Sequence, residues 1–233
     1  MLYPFPSIAD VFIDNLENNG LVFFPLCSID LGNSQKFHIV SPWSIGGDDY
    51  FFDDKASHYL MKFKFNNNKY QFNDDYQKFS HFNELKTWQQ DALAEFAANK
   101  KDYLFPKSFD EYYHGEKKKR DDLRYQQNSN HAFYHNIIIS YLITKENFNN
   151  TEKLVAANYF TDGYIYDEQN LLNRFGGQPE WMQEIGEIQS TSGTPLIFIA
   201  QLTGSSYHNN APDEIYLFYD QQAQEVVQVF QWT

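Results

Sequence analysis

Apolar positions along the chain switch between two spacings, and the switches mark its elements. Over residues 7–19, Ile8, Val11, Phe12 and Leu16 share one helical face, with Ser7 placed to cap the start and Gly20 to end it. Strand-like runs follow at Leu21–Leu26 and Lys36–Val40. The Gly- and Asp-rich stretch 41–54, SPWSIGGDDYFFDD, reads as turn and loop. Residues His58–Phe65 and Lys69–Phe72 alternate apolar and polar. Asn66–Asn68 between them suits a tight hairpin, because asparagine tolerates left-handed backbone.

A long amphipathic helix is predicted over 81–98, with Phe82, Leu85, Trp88, Ala92, Leu93 and Phe96 on one stripe. Residues 99–130 are strongly polar and read as a linker or an exposed excursion. Phe133–Ile143 is β-branched and open between strand and helix, and Glu152–Tyr159 suits a helical turn. Pro195–Leu202, Glu214–Tyr219 and Glu225–Trp232 read as strands separated by turns. The expectation is an α+β fold rich in antiparallel sheet with a few flanking helices. The chain forms one globular unit 1–233, with subdomains 1–98 and 131–233 joined by the polar segment 99–130.

An internal echo fits two copies of one sheet subdomain, and also fits chance in an aromatic-rich chain. SIGGDDYF at 44–51 precedes the strands YLMKFKF and KYQF. RFGGQPEW at 174–181 precedes PLIFIAQL and IYLFYDQ.

The block order in Asn173–Phe230 resembles the YwqG-like family of uncharacterised bacterial proteins. Gly176, Gly177, Pro179 and Trp181 match its Gly-Gly-x-Pro-x-aromatic block. Pro195, Leu196, Phe198, Ala200 and Gln201 match its Pro-Leu strand, and Tyr216, Phe218 and Asp220 its next strand. The likeness covers the last quarter of the chain and implies an α+β fold of two similar β-rich subdomains. It implies no activity. Some relatives carry a Cys-x-x-Cys pair before the Pro-Leu strand; EIQSTSGTP here has no cysteine, so no zinc ribbon is expected at that place.

The residues of these blocks also have a physical reading. Gly176-Gly177 allows a turn where side chains would clash. Trp181 is expected to lie over the core, and Gln201, if buried, to hydrogen-bond to backbone. The functional alternative makes Trp181, Gln201, Gly176 and Gly177 a ligand- or partner-binding set, with the Gly-Gly loop as an anion cradle. That loop lacks the Lys or Ser/Thr that phosphate loops place beside their glycines.

Composition narrows the function. Eighteen basic against thirty-one acidic residues give a formal charge of −13, which repels a phosphate backbone, so no nucleic-acid partner is expected. Forty-two percent hydrophobic residues can fill a core. No apolar run reaches the 18 residues or so of a membrane span, and the N-terminal stretch carries Asp10, Asp14 and Glu17 rather than a basic signal. One cysteine, Cys27, excludes an internal disulfide. The expected location is the cytoplasm, with no membrane association, and the resemblance implies a bacterial one.

Candidate chemistry is sparse. His131 and His135, spaced i, i+4, would share a helical face as two metal ligands do, yet no third ligand is near in sequence, so no metal and no cofactor are expected. Asp48, Asp49, Asp53 and Asp54 do not follow an EF-hand spacing and read as a solvated acidic turn. The basic run Lys117–Arg120 is nearly cancelled by Glu116, Asp121 and Asp122. Ser205, His208 and Asp213 lie close in sequence, without a nucleophile elbow. The reading is therefore of a non-catalytic protein of immunity or regulatory type. It would bind a basic protein partner through an acidic, aromatic-rich surface. The alternatives are a small-ligand or glycan-binding module using Trp181, and an enzyme whose Asp, Glu and His residues meet in a cleft between subdomains.

Overall fold

The computed structural model describes residues 1–32, 34–44, 51–104, 116–155 and 168–232. Strand β1 (Leu2–Pro4) leads into helices α1 (Ile8–Val11) and α2 (Leu16–Val22). Strands β2 (Phe23–Asp30), β3 (Lys36–Pro42), β4 (Phe52–Asp53), β5 (His58–Asn66) and β6 (Lys69–Gln71) follow. Helices α3 (Phe82–Leu104), α4 (Glu116–Gln127) and α5 (Ser129–Thr151) come next. Strands β7 (Leu154–Val155), β8 (Glu168–Gln169), β9 (Arg174–Phe175), β10 (Ile197–Leu202), β11 (Glu214–Asp220) and β12 (Glu225–Gln231) complete the order. The fold is α+β, and every paired strand among the described residues is antiparallel to its neighbour.

The chain folds as two compact units. The first comprises residues 1–82, 170–204 and 212–233; the second comprises 83–169 and 205–211. These boundaries differ from the expected 1–98 and 131–233. The reason lies in the middle of the chain. The polar segment read as a linker contains α4, and the ambiguous stretch after it is the helix α5, so 83–151 supplies helices that bury apolar faces on one another. Strands therefore do not predominate as expected.

In the sheet unit, β1-β2-β3 form one sheet and β4-β5-β12-β11-β10-β9 a larger one, with β6 also paired to β5. The small sheet lies against one face of the large one. The Phe37 ring of β3 stacks on Phe65 at 4.9 Å and meets Tyr219 at 5.0 Å, and the Val40 amide donates to Gln228 Oε1 at 3.0 Å. Phe12, Phe23, Phe63, Tyr70, Phe72 and Phe79 fill the core beside them. The two echoed stretches lie at opposite edges of the large sheet. β4–β5 forms one end and β9–β10 the other, while the first Gly-Gly pair falls outside the described residues.

Local chemistry explains most element boundaries. Ser7 caps α1 in a capping box, its hydroxyl accepting from the Asp10 amide while the Asp10 carboxylate accepts from the Ser7 amide. The helix expected over 7–19 ends at Val11, where Phe12 is extended, and restarts after Asn15 (φ +48°) as α2, with Gly20 inside it rather than after it. Asn67 and Asn68 both take positive φ, and the β5–β6 hairpin forms on the expected asparagines. On α3, Leu85, Trp88, Ala92 and Phe96 are buried as the stripe requires. Leu93, expected on it, faces solvent, and Asn99 kinks the helix with φ −120°. Glu152 ends α5 in the left-handed region. The stretch expected as a helical turn begins β7 at Leu154, and its last residues, 156–159, fall outside the described ones.

Candidate binding site

Residues 178–194 cross the face of the large sheet opposite the small one as an irregular strap, and buried polar side chains hold it by its backbone. Gln201 Oε1 accepts from the Glu180 amide at 3.0 Å. Its Nε2 donates to Glu180 O and to Glu214 Oε2, each at 3.0 Å. Gln231 Oε1 accepts from the amides of Met182 and Gln183, and Tyr216 Oη accepts from the Met182 amide at 3.0 Å. Burial pushes the Tyr216 phenol up to about 12, so it stays a neutral partner. His58 Nε2 lies 2.9 Å from Glu184 O. Under the strap's apolar side, Trp181 packs on Tyr216 at 4.4 Å and Phe218 at 5.7 Å, with Ile185, Ile188 and Leu196 on the same cluster.

The strap's far end is fixed by carboxylates. Asp220 accepts from the hydroxyls of Ser190 and Ser192 and from the amides of Ser192 and Ala223. Burial raises its carboxyl, but these donors outweigh that and hold it well below the usual carboxylate range. Thr191 Oγ1 donates to Glu225 Oε1 at 2.5 Å. In mid-strap the Gly186 amide donates to Ala56 O at 2.9 Å. A Cβ at this glycine would stand 2.0 Å from Lys55 O.

Trp181 and Gln201 meet through Glu180, as parts of the strap's attachment. Gly176 and Gly177 have φ of +64° and +75°, but nothing lies within 4 Å of a Cβ on either. The turn therefore needs glycine for its left-handed backbone, not to avoid the clash expected. The Gly176 amide is spent on Ile199 O at 2.8 Å.

The other candidates separate. His131 and His135 share a face of α5, as helical spacing requires, with ring centroids 6.4 Å apart. His131 stacks on Trp88 and lies 3.7 Å from Asp91; His135 Nε2 lies 3.1 Å from Glu95 Oε2. Glu95 also receives hydrogen bonds from Tyr103 at 2.7 Å and Arg124 at 2.5 Å. Burial raises Glu95, and His135, Tyr103 and Arg124 together outweigh it and keep the group ionised far below its ordinary range. Among the described residues no group of three or more His, Cys, Asp or Glu converges as a metal site. The basic run expected as a solvated loop lies in α4, with Arg120 3.8 Å from Glu95. His208 is buried with Nδ1 2.8 Å from Asn209 O, and burial pushes it down to about 4. Cys27 is buried within β2. Of the acidic cluster, Asp48 and Asp49 lie outside the described residues, and Asp53 accepts from the amides of Lys55 and Ala56.

A feature that no motif marked lies on the outer edge of β5. One side of this strand is paired along its length with β12. The other pairs with β4 only at His58 and Tyr59, and with β6 only from Lys64 onward. Between these two pairings the chain turns inward at both walls. Phe51, before β4, packs its ring on Phe79 at 4.9 Å, and Phe72, after β6, packs on Phe23 at 5.2 Å. The result is a gap at Leu60–Phe63 holding an open cavity of about 380 Å³. It is lined by Phe51, Phe52, Asp53, Phe72, Asn73 and Asp74 on the walls, with β5 and Glu225 beneath. That volume is at the lower end of the range for ligand pockets. Lys62 and Lys64 line the cavity too: Lys64 is 3.3 Å from Glu225, and Lys62 Nζ donates to Gln189 O at 3.1 Å, so both ammonium groups are held on the strap side of the sheet.

Comparison of the chain with family models, with curated proteins and with solved structures finds no match.

Proposed function

We propose that this protein acts by binding another protein rather than by catalysis, and that the gap in the β5 edge is where it does so. The observation that carries this is the cavity of about 380 Å³ set against an interrupted sheet edge. A catalytic site would bring perturbed titratable groups together around a cavity. Here hydrogen-bond partners account for the strongly shifted carboxylates Glu95 and Asp220, and burial accounts for the shifted histidines His38 and His208. None of them lines this cavity. The glycan reading loses support because the Trp181 ring is covered by Tyr216 and Phe218. The net charge of −13 favours a basic partner and a salt-dependent encounter. An immunity-type or regulatory role, in a bacterial cytoplasm, is the biological form of this reading.

The test is site-specific photo-crosslinking in native lysate. With benzophenone in place of the exposed Phe52 ring at the gap, one discrete protein adduct should form, and raised salt should diminish it. The same probe at exposed Phe175, on the opposite edge of the sheet, should give none. Equal adducts from both positions, or none from Phe52, would contradict the assignment.

A further inference from the structure

The direction of each β5 main-chain group follows from one bond. The Phe65 amide donates to Gln224 O at 2.8 Å, on the β12 side. In an antiparallel ladder the N–H and C=O of one residue point the same way and alternate along the strand. Phe65, Phe63, Met61 and Tyr59 therefore turn to β12. Lys64, Lys62, Leu60 and His58 turn to the outer edge. There His58 is opposite Asp53 and Lys64 is opposite Gln71. Leu60 and Lys62 are opposite no strand among the described residues, and they present two N–H and two C=O groups to the cavity.

Side chains around the gap sort by face. Met61 and Phe72 are on the core side and buried, with Phe51 behind them. Asp53 shares the opposite face with its partner His58. Asp74 lines the other wall, with Asp54 and Asp75 exposed next to these two. Lys62 and Lys64 are engaged by Gln189 O and Glu225, and Asp74 is paired with Lys78 at 2.7 Å, which leaves Asp53, Asp54 and Asp75 as the carboxylates around the gap with no cation among the described residues paired to them. Four residues of strand span about 13 Å.

We propose that the gap takes an extended segment of the partner protein as an added strand. Its main chain would pair with Leu60 and Lys62, its apolar residues would face Phe72 and Met61, and its alternate lysine or arginine residues would face the Asp53 side of the gap. This rests on the binding reading above and names the partner's chemistry. Strand addition draws affinity from main-chain hydrogen bonds and specificity from alternate side chains. Edge lysines usually discourage such pairing, and here the two on β5 are engaged by Glu225 and by Gln189 O.

The probe is a blocked hexapeptide of alternating lysine and valine, titrated into the ¹⁵N-labelled full chain. Controls are the glutamate–valine peptide and the lysine peptide N-methylated at its central valines. The lysine peptide should shift the Leu60 and Lys62 amides and slow their exchange with solvent. N-methylation should weaken binding about tenfold, as loss of main-chain hydrogen bonds requires. The glutamate peptide should not bind. Lys62→Pro removes an outward N–H without touching the β12 ladder and should weaken the lysine peptide similarly. The N-methylated peptide on the unaltered chain makes the same test without relying on that variant's folding. No binding, equal binding of lysine and glutamate peptides, or indifference to N-methylation would overturn strand addition. If crosslinks from Phe52 persisted beside such a result, the binding reading would stand and only this mode of it would fall.

Discussion

Glycine has two different jobs in this molecule, and substitution separates them. At Gly186 a Cβ would press into the Lys55 carbonyl, so Gly186→Ala must push the strap off the 53–57 turn. A loss of about 2 kcal/mol or more in chemical denaturation is expected. At Gly176 and Gly177 there is space but the backbone is left-handed, so alanine should cost only about 1 kcal/mol at each. Equal losses at all three would contradict the strap's seating. The sequence made the Gly-Gly pair visible, because adjacent glycines mark a turn. Gly186 carries no such sign, because its requirement is set by a turn 130 positions earlier in the chain. Gln201 was readable as a buried amide, whereas its partner, the Glu180 backbone, was not.

Strand β3 and the loop between β10 and β11 each bury a neutral histidine, and this gives the fold a pH dependence. His38 in β3 lies with Nδ1 2.7 Å from Ser28 Oγ and Nε2 2.8 Å from Asn68 O, and burial pushes it down to about 4. His208 is lowered to about 4 for the same reason. The unfolded chain therefore binds more protons than the folded one below pH 6.5. The stability these groups contribute is complete above 6.5 and is lost as pH falls through about 4. Roughly 2–3 kcal/mol per histidine should disappear over that window. Urea midpoints at pH 7.5 and pH 5 measure it, and His38→Gln should flatten part of the slope. An unchanged midpoint would contradict burial of the neutral rings. In the helical unit, Glu95→Gln should cost about 2–4 kcal/mol by removing the carboxylate that Arg124 and His135 share, Arg124 keeping only Asp121, seen as a lowered midpoint for α3–α5. Helical periodicity made α3 legible. It did not settle α5, whose residues are buried nearly all round and carry no polar stripe to set a period.

At the scale of the whole molecule, the strands themselves were legible from their alternation, but their order was not. β5 pairs with β12 across more than 150 positions, and only that pairing, read with the short reach of β4 and β6, creates the open edge. Short-range patterns cannot contain it. The same holds for the two units, since residues 170–204 and 212–233 return to the sheet begun by 1–82. Charge was legible throughout and carries a prediction here. Association with the basic partner should slow several-fold between about 50 and 300 mM salt, mostly in the on-rate. A salt-independent on-rate would remove steering from the account.

The most direct measurement is amide hydrogen exchange of the protein alone, resolved residue by residue along β5. Met61 and Phe63, bonded to β12, should be strongly protected, while Leu60 and Lys62 between them exchange fast. An alternation of that kind would establish an open edge between β4 and β6. Protection at all four residues would mean the edge is already closed, and the proposed binding site with it.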